Sequence, residues 1–446
     1  MDDRLLAHGL GGANDLPIPV ELAVAGAVGA LVVSFTVLAI AWRSPRYDAA
    51  TSGRPAPAWL GRLVTSTGWR VWWRAFGVVA LLYVGWAAIA GQNTLINPFL
   101  GVFYVLIWVG LVPLSVAFGP VWKAISPHRT INLAVAKLSG SHPSVGLYPY
   151  PARLGYWPAV VGLSAFVWFE LVYPSSNDVG AVRLWCAAYL AIMLIGGALF
   201  GDTFFAHADP FEVYSTLAGK LSVWGTRDGQ LLIRSPLANL DTVAIRPGLV
   251  GVVAVLFGST AFDSFAESAP WVQFVQSSPV GSPLLSTLAL VAFCVAVAAI
   301  FALATGVGRW TEPAARHEGV RRSELPDVFA HSVVPIIVGY IVAHYLTFLV
   351  EHGQKTIIQL SDPLSRGDNL LGTADLAVNY WLSNHPSFLA TLKVVAVVTG
   401  HVLGVIAAHD RAVRLLPADR QLTGQLPLLV AMVFFTAGGL YLLFAA

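Results

Sequence analysis

Ten stretches of this sequence are each apolar over the roughly 20 residues that a helix needs to cross the hydrocarbon of a membrane. They lie near residues 20–42, 76–91, 99–119, 157–173, 182–200, 247–266, 283–306, 331–350, 388–408 and 425–444. Lipid offers backbone N–H and C=O groups no water, so such segments must satisfy their hydrogen bonds internally and be helical. The sequence therefore predicts an all-α, polytopic transmembrane bundle of about ten helices, with the lipid bilayer as its partner. Only 11% of its residues are charged, against about 25% in a soluble domain. The net charge of +2 supplies no basic face for nucleic acid. Cys186 and Cys294 fall inside apolar runs, so neither a disulfide framework nor a cysteine zinc site is expected.

Asp2, Asp3, Asp15 and Glu21 precede or open the first run with only Arg4 to balance them, unlike the basic leader of a signal peptide. That run is expected to be a retained helix, with residues 1–19 as an N-terminal tail and 20–446 as one transmembrane domain. Lys and Arg fall unequally in alternate loops: Arg4, Arg183, Lys355, Arg366 and Lys393 lie on one side, and the other 21 on the opposite side. The positive-inside rule then places both termini extracytoplasmically. Arg outnumbers Lys, and Ala and Gly abound, a composition of bacterial or archaeal genomes; the expected location is a bacterial plasma membrane.

Val78, Val79, Leu81, Trp86 and Phe118-Gly119 recur 82 residues later as Val160, Val161, Leu163, Trp168 and Phe200-Gly201. A two-helix repeat over 70–140 and 153–222 would explain this, as would the shared composition of membrane helices. Each unit ends in an inner-face segment, with Trp122 and Pro127 in the first and Phe204 and Pro210 in the second. These segments read as amphipathic helices with their aromatic residues dipped into the interface.

Ionisable residues inside membrane spans are costly and mark function by default. Here they are Asp263, Glu170, His344 and His401, with Glu267, His331, His352, Lys393, His409 and Asp410 near the ends. By the orientation above, Asp263, Glu267, Glu170, Lys393, Arg183 and His352 lie toward the outer side, around a cavity opening outward. His344 and His352, like His401 and His409, are eight residues apart, a separation of about 12 Å along one helix, too far to chelate one ion. His344 and His401 come from different helices at depths differing by about 8 Å, a gap that modest tilt can close, and an imidazole from each of two helices is what a bis-histidine haem needs. With Asp263 they would suit zinc, copper or iron. The alternative is interhelical hydrogen bonding.

Beyond the spans, His8 could fold back as a further ligand or belong to a Gly-rich tail. Ser361-Asp362-Pro363-Leu364, Asp368, Asp375 and Trp381 could form a lid or cation funnel, or a solvated loop. Asp202, His207 and Asp209 offer three hard ligands, with helix capping by Asp202 as the simpler reading. His409-Asp410-Arg411 reads as a helix end whose imidazole meets the helix dipole. There is no P-loop, no dinucleotide-binding glycine pattern, no His-Glu-x-x-His and no Gly-x-Ser-x-Gly.

Several of these stretches together resemble a family of actinobacterial multi-pass membrane proteins labelled fenitrothion hydrolase-like. They are His8-Gly9 through Asp15-Leu16-Pro17-Ile18-Pro19, Phe118-Gly119-Pro120-Val121-Trp122 with Pro127, Ala261-Phe262-Asp263, Phe329-Ala330-His331 through Ala343-His344-Tyr345, Ser361-Asp362-Pro363-Leu364, and Gly400-His401 with His409-Asp410. The resemblance implies hydrolysis of an organophosphate triester, which needs a Lewis acid and an activated water. The matching residues are His344, His401 and Asp263, with His8 or His352 in addition. Three expectations follow: a transition-metal (copper, zinc or iron) or haem b site at His344, His401 and Asp263 for metal handling or electron transfer, a metal-dependent hydrolase on that site, or a metal-free transporter using Asp263, Glu170 and Lys393.

Overall fold

The computed structural model describes residues 15–306, 321–416 and 421–444. His8 and most of the N-terminal tail, with Arg4, Arg309, Arg316 and Arg420 of the charge count, lie outside them. The chain is an all-α polytopic bundle: among the described residues nine helices are long and apolar enough to cross a membrane, and a bent helix pair passes the same test when taken as one span.

In chain order the helices used below are α1 (Val20–Ala41), α2 (Ala58–Thr65), α3 (Thr67–Ala90), α4 (Pro98–Gly101), α5 (Leu111–Phe118), α6 (Val121–Ile125), α7 (Pro127–Leu138), α8 (Trp157–Leu171) and α9 (Val179–Phe200). They continue as α10 (Asp202–Ala208), α11 (Pro210–Gly219), α12 (Leu249–Ala266), α13 (Ser282–Gly306), α14 (Val334–Thr347), α15 (Pro386–Leu415) and α16 (Gln421–Phe444). The second span starts well before the apolar run at residue 76, because Ser66 caps α3 by accepting from the Trp69 N–H at 3.2 Å. The third span is not straight. A π-helical stretch, Val102–Val109, joins α4 to α5 with a 43° bend. Pro113 removes the hydrogen bond that would close on Val109 at this point, a regular cause of a kink.

Packing divides the chain into two compact units. The first comprises Met1–Ala49, Leu240–Thr347 and Tyr380–Ala446. Its inner helix is α12, 78% of whose apolar window is buried, against 22% for α13. α12 packs on α13 and α14, α14 on α15, and α1 on α15 and α16. Small residues let α14 and α15 meet backbone to backbone. A Cβ on Gly400 would lie 2.5 Å from the Pro335 carbonyl, one on Gly339 2.5 Å from that of Ala396, and one on Gly404 2.7 Å from that of Ser332. Gly400 and Gly404 make a small-xxx-small pair, the pattern that permits close helix approach in lipid. Gly400→Val is therefore expected to part the two helices and cost about 2–3 kcal/mol, read as a lowered melting temperature in detergent. Gly438→Val on α16, where nothing among the described residues lies within 4 Å of the added carbon, is the control that should change little.

The second unit comprises Ala50–Asn239 and Phe348–Asn379. In it α3 packs on α6 and α7, α5 on α6 and α11, and α8 on α10 and α11. It also holds a three-stranded antiparallel sheet, ordered β1 (Arg54–Pro55), β3 (Gln230–Ile233), β2 (Trp224–Arg227). Asp228 and Gly229, both at positive φ, make the two-residue turn between β2 and β3. The spans before each inner segment end alike: Gly119 has φ 86° and ψ −162°, Gly201 φ 64° and ψ −160°. Only glycine adopts this backbone easily.

The segments after these corners depart from expectation. Trp122 and Phe204 are 6% and 9% exposed, enclosed by protein and not dipped into the interface. Trp122 is drawn in by a buried carboxylate described below, and Phe204 packs in an apolar cluster with Met193, Phe205 and Ala208.

Candidate functional site

α12 supplies the central acid. Gly258 lets α13 approach so closely that a Cβ there would sit 2.7 Å from the Cys294 Cα. The hydroxyls of Ser259 and Thr260 turn back onto the Leu256 carbonyl at 3.5 and 2.9 Å, so they need no partner from lipid. One turn further on, Asp263 is only 5% exposed. α14 brings it two donors. His344 Nε2 lies 2.9 Å from Asp263 Oδ2, and the Tyr345 hydroxyl donates to the same oxygen at 2.6 Å. Because a carboxylate only accepts, the His344 proton sits on Nε2 and leaves Nδ1 to accept. Ser264 Oγ is 3.1 Å from that Nδ1 and 3.0 Å from the Tyr340 hydroxyl. The result is a buried chain from Tyr340 through Ser264 and His344 to Asp263, with Tyr345 as its second donor.

α15 adds a column of polar residues to the same unit. Lys393 and His401 are 1% and 0% exposed. Glu267 and Asp15 are the carboxylates that act on the Lys393 charge. His401 Nδ1 donates to the Val397 carbonyl at 2.9 Å, so its Nε2 carries a lone pair, and that atom is buried with no hydrogen-bond partner among the described residues. His331 is turned to the carbonyls of Val328 and Ala407. Further along, His409 is 2% exposed and not at a helix end. Its nitrogens lie 2.9 Å from Gln425 Oε1 and from the Trp42 carbonyl. Asp410 accepts from the Arg46 and Tyr47 N–H groups at 2.7 and 3.3 Å. These two residues fasten the chain leaving α1 to α15; the helix-end reading is overturned because α15 runs on to Leu415. At 1.5 Å per residue, Lys393 and Asp410 are about 25 Å apart, most of the thickness of a hydrocarbon core.

The sequence-derived candidates are thus gathered selectively. Asp263 and His344 are bonded to each other. His401 contacts its own helix, and Glu170 and His352 belong to the other unit. There Glu170 acts electrostatically on Tyr104 and Tyr214, and the His352 ring packs 5.0 Å from Phe348. Both His344 nitrogens already have partners, so a metal or haem at His344 would have to break the bond to Asp263 or to Ser264. Among the described residues no three His, Cys, Asp or Glu side chains converge to hold a metal ion. A groove of about 880 Å³ between α1 and α16 is lined by Val20, Val24, Val28, Phe434 and their neighbours and by none of the candidates.

The second unit holds a cluster that sequence reasoning saw only in part. Asp209, fully buried, accepts from Trp122 Nε1 at 2.9 Å, His128 Nε2 at 2.9 Å, the Tyr189 hydroxyl at 2.8 Å and the Phe211 N–H at 3.0 Å. Burial works against its charge, but His128 and then Tyr189 and Trp122 outweigh it and hold the carboxyl below its ordinary pKa. Arg129 grips Glu212 through two nitrogens, at 2.5 and 2.7 Å, and reaches Asp202 at 3.1 Å. The helix cap at this site is Asp209, on α11; Asp202 makes no cap bond because it stands inside α10 after Gly201. His207 turns away to stack on Tyr150 at 5.6 Å, so Asp202, His207 and Asp209 do not form one ligand set. The Ser126-Pro127-His128 turn and Asp209-Pro210 were the available signals: both read as N-caps followed by proline.

Ser361 and Asp362 organise their own loop. Asp362 accepts from the N–H groups of Arg366 and Gly367 at 2.9 and 2.7 Å, and Ser361 Oγ meets Asn369 at 2.7 Å. Compared with known proteins, the chain matches no family model, no curated protein and no solved structure.

Proposed function

We propose that this protein is a proton-coupled membrane transporter in which Asp263 and His344 hold and pass the proton. The observation that carries the reading is their 2.9 Å bond, buried between two membrane-spanning helices and continued by Ser264 and Tyr340. Chains of Asp and His inside membrane spans are characteristic of proton relays. A proton delivered to His344 Nδ1 through Ser264 makes an imidazolium. Loss of the Nε2 proton to Asp263 leaves a neutral imidazole and a neutral carboxyl, with one proton moved. Lys393, His401 and His331 are further buried ionisable residues of the same unit.

The test is proton flux into liposomes containing the purified protein and an internal pH dye, driven by an imposed potential. Asp263→Asn and His344→Gln are expected to lower the flux at least tenfold, and Tyr345→Phe less. Fluxes unchanged in both variants would overturn the reading. A second reading, a bound copper, zinc or iron ion, is favoured by the bare Nε2 of His401. Near-stoichiometric metal that disappears in His401→Ala would support it, and the hydrolase reading depends on that same metal.

A further inference from the structure

Residues 49–169 contain no Asp or Glu, yet carry Arg54, Arg62, Arg70, Arg74, Lys123, Arg129, Lys137 and Arg153. Of these, Arg129 is neutralised by Glu212 and Asp202, and among the described residues no ion pair engages Arg62, Arg70 or Arg74. The three surround the corner where α2 meets α3. α2 buries none of its residues, although it is amphipathic. Trp59, Leu60, Leu63 and Val64 occupy one side, and Gly61, Arg62 and Thr65 the other. Trp59 is 64% and Leu63 41% exposed. The helix is not loosely attached: just before it, β1 pairs with β3, and the Ala56 N–H donates to the Leu231 carbonyl at 3.0 Å.

α3 continues the same surface. Trp69, Trp72 and Phe76 stack in a ladder, with ring centres 6.2 and 6.0 Å apart. Trp72 and Phe76 lie toward the side that continues into Val79, Leu82 and Trp86, all exposed along the spanning part of the helix. The opposite side is fixed by Gly77, on which a Cβ would collide with the Ile125 carbonyl of α6. Arg70 and Arg74 stand one turn apart near that side, at the level of the ladder. An amphipathic helix whose Trp59 and Leu63 are left uncovered, an aromatic ladder of the kind found at headgroup depth, and arginines without ion pairs among the described residues have one common partner in a membrane.

We propose that α2 lies in the headgroup layer, with Trp59 and Leu63 facing the acyl chains, and that Arg62, Arg70 and Arg74 bind the phosphate groups of anionic phospholipids. The charge complementarity is one-sided, since no carboxylate in residues 49–169 competes for these cations. The occupant is lipid and not a free anion, because the apolar side of α2 needs hydrocarbon contact at the same place.

The full chain, purified in detergent, is titrated with phosphatidylglycerol and with phosphatidylcholine, and bound lipid is counted by native mass spectrometry. Phosphatidylglycerol is expected to be retained selectively. Arg62→Gln, Arg70→Gln and Arg74→Gln combined should remove the selectivity, with about fivefold weaker binding for each arginine lost. The three Arg→Lys replacements should keep most of it. Equal retention of both lipids, unchanged selectivity in the glutamine variant, or displacement of the lipid by an equal concentration of inorganic phosphate would overturn the proposal. A second measurement does not rely on these variants. Spin labels placed singly at 59–65, with Cys186→Ala and Cys294→Ala, should alternate between oxygen contact at 59 and 63 and nickel-complex contact at 62. Uniform contact with the nickel complex would place α2 in water and sink the idea.

Discussion

Asp263→Ala is expected to destabilise the protein by about 2–6 kcal/mol, roughly 1–3 kcal/mol for each of the two buried donors it leaves unpaired. The loss comes from what stays behind. His344 Nε2–H and the Tyr345 hydroxyl both end on Asp263 Oδ2, and neither finds water in the interior of the first unit. If that is the cause, removing the donors as well should restore most of the stability. Asp263→Leu combined with His344→Phe and Tyr345→Phe should melt near the wild type in detergent, while proton flux in liposomes stays abolished. A triple variant as unstable as the single one would mean that shape at this site, and not unmet hydrogen bonding, sets the cost. The combination also separates folding from the proposed transport: on that reading a folded protein without the acid still carries no proton.

Asp209→Ala should be comparably damaging, by at least about 4 kcal/mol, since it strands three side-chain donors and one backbone donor at once. Asp209→Asn keeps the volume and part of the acceptor capacity, so it should lose less, and Asp202→Asn, on a carboxylate 38% exposed, least of all. The pH dependence has a definite sign. His128, Tyr189 and Trp122 hold Asp209 below its ordinary pKa against the opposing effect of burial, so the folded state binds the proton less tightly than the unfolded chain. The stabilisation is complete above the ordinary carboxylate value of about 3.9 and disappears as pH falls through the lowered folded value. Melting curves between pH 6 and 3 should show this acid loss in the wild type and less of it in Asp209→Asn. A variant with the same acid sensitivity as the wild type would assign that sensitivity to other carboxylates.

The spans were legible in the sequence because apolar length is a local property that lipid enforces directly. The bend at Val109 was not, since an apolar run reads the same whether its turns close on four residues or five, although Pro113 was visible within it. Start points failed where charge interrupted the pattern: Arg70 and Arg74 hid the first turns of α3, whose tryptophans carry the helix out to the surface. Asp263 and His344 stood out individually because ionisable groups are costly in lipid. The sequence groups them with His401 as one metal site, but their direct bond was not legible, because only packing shows that α14 lies against α12. His401 stands out as one half of a metal-binding pair, and the structure gives its Nδ1 a backbone partner on its own helix. Trp122 and Phe204 were assigned to the interface from aromatic character alone. Aromatic residues at helix ends serve equally well to donate to a buried carboxylate, as Trp122 does, or to fill an apolar core, as Phe204 does, and nothing local distinguishes these roles.

The bond between Asp263 and His344 also has a consequence for biosynthesis. The partners are 81 residues apart in sequence, and the acid is made first. At roughly 5–20 residues per second, α12 waits on the order of 4–16 s before His344 and Tyr345 emerge. During that interval a carboxylate sits in a helix destined for the membrane with no mate from α14. The nascent helix must therefore be sheltered by the insertion machinery, or enter the bilayer with the acid protonated, until its partner arrives. Chains truncated before residue 344 should insert α12 less completely than the full chain, and Asp263→Leu should remove that difference.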